Sequence, residues 1–257
     1  MDTLADAATP ETIALAAKRL GCRSVAYTYN DPVIFHEYAI DVAIACREQG
    51  VRSVAVTAGY VHADPRAEFY RHMDAANVDL KSFSENFYHR LTGAHLQPVL
   101  ETLEYLRRET TVWFEITTLL IPGENDTDQE LNAMTTWIRE HLGVDTPLHL
   151  SAFHPAWKMQ DKPPTPANTL FRACDIARRN GLRYVYAGNI ADTKSGSTHC
   201  HRCGQRLIGR TGYQISTWNL TKDGLCTQCQ APCAGVFEPH PGDWGARRQV
   251  VRLAEYR

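Results

Sequence analysis

The chain has 257 residues, 44% of them hydrophobic and 22% charged, with a net charge of −2. That profile excludes a disordered chain and leaves room for one large α/β domain with a small appendage. The near-neutral balance offers no basic field for nucleic acid and no polybasic run for a lipid surface.

In chain order, Thr9-Pro10 predicts a helix start, a capping threonine followed by proline at the first helical position. Ile13, Ala16, Ala17 and Leu20 would form its buried stripe, and Gly21 its end. A strand follows at Ser24-Val25-Ala26-Tyr27-Thr28, then a helix over 33–49 and a strand at Ser53-Val54-Ala55-Val56-Thr57. Asp64-Pro65 opens a short helix, and Asn77-Val78-Asp79-Leu80-Lys81 reads as the third strand. Leu100, Leu103 and Leu106 mark a helix over 97–108, and Thr111 to Leu120 a long strand. Thr127-Asp128-Gln129-Glu130 has the form of a capping box. A strand at Leu148 to Phe153, a helix from Thr165-Pro166 and a strand at Arg183 to Ala187 complete the series.

Alternation of this kind predicts an α/β fold, a partial (βα) barrel over 1–190 whose ligands gather at the C-terminal ends of the strands. The pattern opens with a helix, as though the first strand of such a barrel were missing. Asp192 to Thr198 reads as a polar linker into a second domain over 191–257.

No stretch approaches the ~20 apolar residues of a membrane-spanning helix. The start, Met1-Asp2-Thr3-Leu4-Ala5-Asp6, is acidic where a signal peptide is basic and then apolar. A cytoplasmic chain is expected. Disulfides are rare there, so the eight cysteines need another explanation.

Cys200-His201-Arg202-Cys203-Gly204 and Cys226-Thr227-Gln228-Cys229 supply it. Two residues between thiolates let both sulfurs converge on one ion. Two such turns give four tetrahedral ligands, a zinc-ribbon-like site. Cys233 extends the second turn to C-x-x-C-x-x-x-C, which leaves iron as an alternative. Cys22, Cys46 and Cys174 are isolated and read as small buried thiols. Arg202, Arg206 and Arg210 read as a solvated face.

Several strands end in polar residues that a plain core would not choose. These are Tyr29-Asn30-Asp31-Pro32, Thr57-Ala58-Gly59-Tyr60, Asp79 with Lys81 on one face, Glu115 with Thr117 and Thr118, Pro122-Gly123-Glu124-Asn125-Asp126, and Phe153-His154-Pro155. Together they predict a pocket at the barrel mouth.

The runs Tyr27 to Pro32, Asn77 to Phe83, Ile121 to Asp126 and Phe153 to Pro155, with the cysteine knuckles, resemble the AmmeMemoRadiSam-system radical SAM enzymes. Those are relatives of glycyl-radical activating enzymes such as the pyruvate formate-lyase activase. The resemblance implies S-adenosylmethionine bound against a [4Fe-4S] cluster, which reduces it to methionine and a 5′-deoxyadenosyl radical. It places Asn30 and Asp31 at the methionine amino group, Asp79 and Lys81 on the cofactor, and His154 nearby. It also implies Memo-like and AMMECR-like partner proteins.

The family's cluster ligands, three cysteines spaced C-x-x-x-C-x-x-C, do not occur in this sequence. The expectation is either a truncated reading of a longer protein or a relative that has lost its radical chemistry, and the 257 residues alone are expected to be inactive. Two other functions remain open. One is a non-catalytic protein-binding module with a structural zinc. The other is a lyase that forms a Schiff base on Lys81.

Overall fold

The computed structural model describes residues 7–190, 192 and 194–256. It forms two compact units. One comprises Met1–Asp79, Gln97–Phe114 and Arg248–Arg257, and the other Leu80–Leu96 and Glu115–Arg247.

The first unit starts with α1 (Pro10–Arg19), where the Thr9 hydroxyl accepts the Thr12 N–H as the sequence predicts. Its buried face is Thr12, Ala14, Ala16 and Ala17, so Ile13 and Leu20 sit at the margin of the stripe rather than inside it. Then come β1 (Ser24–Tyr27), α2 (His36–Glu48), β2 (Arg52–Thr57), α3 (Ala63–Tyr70) and β3 (Ala75–Asp79). Strand β2 shows a half-buried sheet surface, Ser53, Ala55 and Thr57 alternating with half-exposed Val54 and Val56. The buried Ser53 hydroxyl is satisfied by Tyr27 Oη at 3.0 Å, and its N–H by Asp74 Oδ2 at 2.7 Å. Strand β3 stops at Asp79, so Lys81 lies beyond it.

The helix α4 (Glu85–Phe87) runs into a wide π turn at Tyr88–Thr92, closed by Gly93 in the left-handed region. Helix α5 (Gln97–Glu109) precedes β4 (Trp113–Leu120). Helix α6 (Asp128–Trp137) ends in a second π turn at Ile138–Leu142, and is followed by β5 (Leu148–Ala152), α7 (Ala167–Arg179) and β6 (Val185–Gly188).

The six strands lie in sequence order in one sheet. The pairings β1–β2, β2–β3, β4–β5 and β5–β6 are all parallel. In the second unit one sheet face is fully buried, with Ile116, Thr118, Leu120, Leu148, Leu150, Ala152 and Val185. Thr118 on this face contacts Met134 Sδ of α6 at 3.7 Å. The other face alternates Glu115, Thr117, His149, Ser151 and Tyr186, all half-buried. A parallel sheet covered on both sides is apolar on both. This one keeps a polar face, as an open barrel wall does.

Helices α6 and α7 start where the sequence places them, but two side chains at these starts serve elsewhere. Thr127 does accept the Glu130 N–H at 3.3 Å, but the Glu130 carboxylate does not return to close a capping box. It accepts the Ser82 hydroxyl and, at 2.8 Å, the Phe83 N–H, a tertiary role that outcompetes the local one. Thr165 likewise does not cap α7. Its hydroxyl donates to Leu120 O at 2.6 Å and accepts the Phe153 N–H at 3.0 Å, tying two strand ends together.

The remainder of this unit is an antiparallel three-stranded ribbon, β7 (Thr198–His199), β8 (Arg206–Thr211) and β9 (Gln214–Trp218). The segment leading into it is no solvated linker. Ser195, Ser197 and Thr198 are buried, Ser195 N–H donates to Asp192 Oδ2 at 2.6 Å, and Ser195 O accepts the Ala187 N–H at the edge of β6. Ala191 and Thr193 of that segment lie outside the described residues. Ribbon residues Cys200, Leu207, Ile208, Leu220, Cys226, Ala231 and Cys233 share one core with Tyr184 just before β6.

Candidate functional site

In the first unit the loop after β1 carries Tyr29 and Asn30, both exposed, and Asp31, half-buried. Tyr29 holds φ 71°, a region side chains rarely adopt. Asp31 Oδ1 accepts the Thr57 hydroxyl at 2.8 Å and the Val33 N–H at 3.1 Å, and Oδ2 accepts the Ala58 N–H at 2.8 Å. Three protein donors therefore occupy most of a carboxylate's roughly four acceptor positions. Asp31 pins its loop to the end of β2. Asp79 ends β3, half-buried.

In the second unit Lys81 is half-buried. Its N–H donates to Tyr88 Oη at 3.1 Å, and its carbonyl accepts Asn125 Nδ2 at 2.7 Å. Asn125 also donates to Leu119 O and accepts the Ile121 N–H, so this buried amide holds the turn after β4 against the Lys81 backbone. Glu124, its side chain only 6% exposed, meets Arg90 and, at 2.6 Å, Lys162. The Lys162 ammonium, helped by Arg90, holds the Glu124 carboxyl below its ordinary value. His154 follows β5 and is exposed. In the same loop Trp157 stands 82% exposed at φ 47°, with the Lys158 ammonium 4.4 Å from its ring.

The polar face of β4–β6 holds residues that the spacing alone did not single out. His149 Nε2 lies 2.6 Å from Glu115 Oε2, and the His149 ring stacks on Tyr186 at 4.9 Å. Tyr186 Oη is 2.9 Å from Thr198 Oγ1, which also accepts Arg210 Nη1 at 2.8 Å. Arg210 is thus no solvated cation. It reaches back from the ribbon, with its guanidinium 5.7 Å from the Tyr186 ring. His149 stands two residues into β5 with one apolar neighbour on each side, so nothing local marks it. Only the register that sets it abreast of Thr117 and Tyr186 does.

The four cysteines behave as their spacing predicts. All four Sγ atoms lie within 4.8 Å of one another, with Cys200–Cys229 at 3.5 Å and Cys203–Cys226 at 3.7 Å. Thiolates around one tetrahedral ion at ~2.3 Å stand about 3.8 Å apart. The two knuckles repeat one backbone pattern. Cys200 N–H donates to Gln205 O and its carbonyl accepts the Gly204 N–H, while Cys226 N–H donates to Ala231 O and its carbonyl accepts the Gln230 N–H. The fourth residue after each leading cysteine must be left-handed, Gly204 at φ 76° and Gln230 at φ 58°. Burial raises the Cys200 thiol, but the Cys203 and Arg202 N–H groups together with the Cys229 and Cys203 sulfurs bring it down to about 7. The Gln205 N–H lowers Cys203, yet burial and the sulfurs of Cys229, Cys200 and Cys226 push it up to about 12. Four sulfurs this close cannot all ionise without a cation between them.

These thiols fit a single ion and not a cluster, in which each thiolate binds its own iron and the sulfurs stand farther apart. Cys233 is outside the group, buried and directed to Ala234 O at 3.8 Å. Cys46 and Cys174 are buried singly, with burial pushing Cys174 up to about 11. Cys22 is exposed, contrary to expectation, because Gly21 at φ 68° turns the chain out at the end of α1. Among the described residues no set of three thiols other than the knuckle converges.

Residues 3–134 match the family model of the Radical SAM superfamily. The chain belongs to this superfamily. An uncharacterized protein of Methanocaldococcus jannaschii is 38% identical over 212 residues, which cover 82% of this chain and 62% of that one. The 4-hydroxyphenylacetate decarboxylase activating enzyme of Clostridium scatologenes is 26% identical over 133 residues, 51% of this chain and 41% of the enzyme. This chain therefore spans less than two thirds of either relative. Among solved structures, a domain of the pyruvate-formate lyase-activating enzyme from Bacteroides vulgatus superposes with TM-score 0.57 at 17% identity, covering 65% of this chain and 99% of that domain. Streptococcus suis SuiB, solved with S-adenosylmethionine, gives 0.56 at 13% identity over 69% of this chain and 42% of SuiB. The radical SAM family uses S-adenosylmethionine and an iron–sulfur cluster, and the α/β sheet found here is its fold. Among the described residues no helix is long and apolar enough to cross a membrane.

Proposed function

We propose that this chain is a cytoplasmic radical SAM protein of the AmmeMemoRadiSam type that holds S-adenosylmethionine at the strand ends. Asn30, Asp31, Asp79, Lys81 and His154 would be the cofactor contacts. The observation that carries this is the family match over residues 3–134, which contains the first four of them. Lys81 would pair with the methionine carboxylate, an attraction strengthened in a partly dry site. Asp31 would act chiefly by fixing the loop that presents Asn30, since three protein donors already hold its carboxylate. When bound, the cofactor supplies an adenosyl group for radical formation. No step of that reaction is assigned to these residues, since among the described residues the thiols that converge are the four of the knuckle.

Titration calorimetry with S-adenosylmethionine tests the reading. Saturable binding is expected, about tenfold weaker in Lys81→Ala, the loss of one charge-assisted contact. No heat at millimolar cofactor would overturn it. Anaerobic reconstitution with iron and sulfide is expected to yield no 5′-deoxyadenosine from these 257 residues, and its production would overturn the assignment of the thiols.

The knuckle would hold zinc through Cys200, Cys203, Cys226 and Cys229, since a closed four-thiolate site favours that ion. The same four thiols favour a second reading, a non-catalytic docking module whose ribbon is a rigid surface for Memo-like or AMMECR-like proteins. Co-purification of such a partner, with no cofactor binding, would select it.

A further inference from the structure

The polar face of β4–β6 carries a group that cofactor binding at the strand ends does not use. Register sets Thr117, His149 and Tyr186 abreast on three neighbouring strands, with Leu119, Ser151 and Gly188 abreast in the next row. With Glu115 as a carboxylate, which has no hydrogen to give, the 2.6 Å contact takes Nε2–H of His149 as the donor to Oε2. In the neutral ring this leaves the lone pair on Nδ1. Among the described residues no hydrogen bond reaches that atom, and the His149 side chain is only half-buried.

The imidazole is held by two groups. Glu115 fixes the tautomer, and the Tyr186 ring lies 22° from parallel beneath it. Thr198 and Arg210 of the ribbon anchor Tyr186 in turn. One row on, a Cβ at Gly188 would stand 3.0 Å from Ser151 Oγ. The missing side chain keeps that hydroxyl clear and leaves a notch beside the ring. An oriented, open nitrogen next to an uncrowded hydroxyl is what a ligand needs, and a merely structural ion pair needs neither.

We propose that His149 is a proton-accepting group for a hydroxyl-bearing ligand bound on this face, with Glu115 as its positioning residue and Ser151 as a second polar contact. The ligand's O–H bond breaks toward Nδ1, the electron pair stays on oxygen, and the resulting imidazolium is stabilised by the Glu115 carboxylate. That same charge turns anionic ligands away. The assignment does not rest on S-adenosylmethionine binding.

Two measurements on the full, metal-loaded chain test it. With 15N-labelled histidine, the His149 signals, assigned by their loss in His149→Gln, are expected to be those of the Nε2–H tautomer with a bare Nδ1. Glu115→Gln should convert them to a tautomer mixture, because an amide can accept or donate. Diethyl pyrocarbonate should carbethoxylate His149 in the folded protein, several-fold more slowly in Gly188→Ala, which fills the notch. An Nδ1–H tautomer in the wild type, or a His149 inert to the reagent until unfolding, would overturn the proposal. Cofactor calorimetry on the same sample keeps the two readings apart, since lost cofactor binding with these signals intact condemns only the strand-end reading.

Discussion

The cysteine knuckles and the polar strand ends were both conspicuous in the sequence, and the structure uses them in opposite ways. At the knuckles, all four flagged residues face one another across less than 4.8 Å. At the strand ends, several flagged residues engage the protein's own groups instead. Asp31 holds Thr57, Ala58 and Val33, Asn125 holds Lys81, Leu119 and Ile121, and Glu124 holds Arg90 and Lys162. Within a C-x-x-C turn the spacing is itself the geometry. At a strand end, a polar residue serves a ligand or its own loop, and the chain alone does not say which.

The comparison can be broken most sharply at Cys226, fully buried in the ribbon core. Cys226→Ser should reduce bound metal from about one ion per chain to none, because structural sites close on four ligands. The ribbon should melt as a separate early transition in calorimetry. If metal remains stoichiometric, the knuckle is not the site.

Next in size is Asp31. Asp31→Ala leaves the Thr57 hydroxyl and two amides without their acceptor and should cost about 3 kcal/mol in urea unfolding, at ~1 kcal/mol or more for each bond. A change below about 0.5 kcal/mol would mean that the loop does not depend on this carboxylate.

The smallest effect sharpens the role of Glu124. Its carboxyl is held low in the folded chain, chiefly by Lys162, so its stabilisation is fully present above the unfolded value of about 4.3 and is lost as pH falls through the folded one. Urea midpoints should fall in acid more steeply for the wild type than for Glu124→Gln. Parallel curves would show that the three charged groups contribute nothing net.

The fold was legible because alternation of helix and strand survives errors of a residue or two at each boundary. The third strand, read as reaching Lys81, stops at Asp79 without altering the topology. What stayed hidden depends on register. His149 meets Glu115 and Tyr186 only because β5 lies between β4 and β6 in one alignment. Arg210 looked solvated because its partners, Gly196 and Thr198, belong to a segment whose polarity suggested a linker. Glu130 looked like half of a capping box because its partners, Ser82 and Phe83, are far away in sequence.

Tyr29 and Trp157 have a shared peculiarity, a large aromatic residue with a left-handed backbone. Glycine would adopt either conformation with about 1–2 kcal/mol less strain. Each loop instead keeps a ring that its own chain directs outward, Tyr29 fully and Trp157 largely clear of other atoms. A side chain presented on so constrained a stem has fewer orientations to surrender when another surface arrives, and contact at these two loops is therefore entropically cheaper than their exposure suggests.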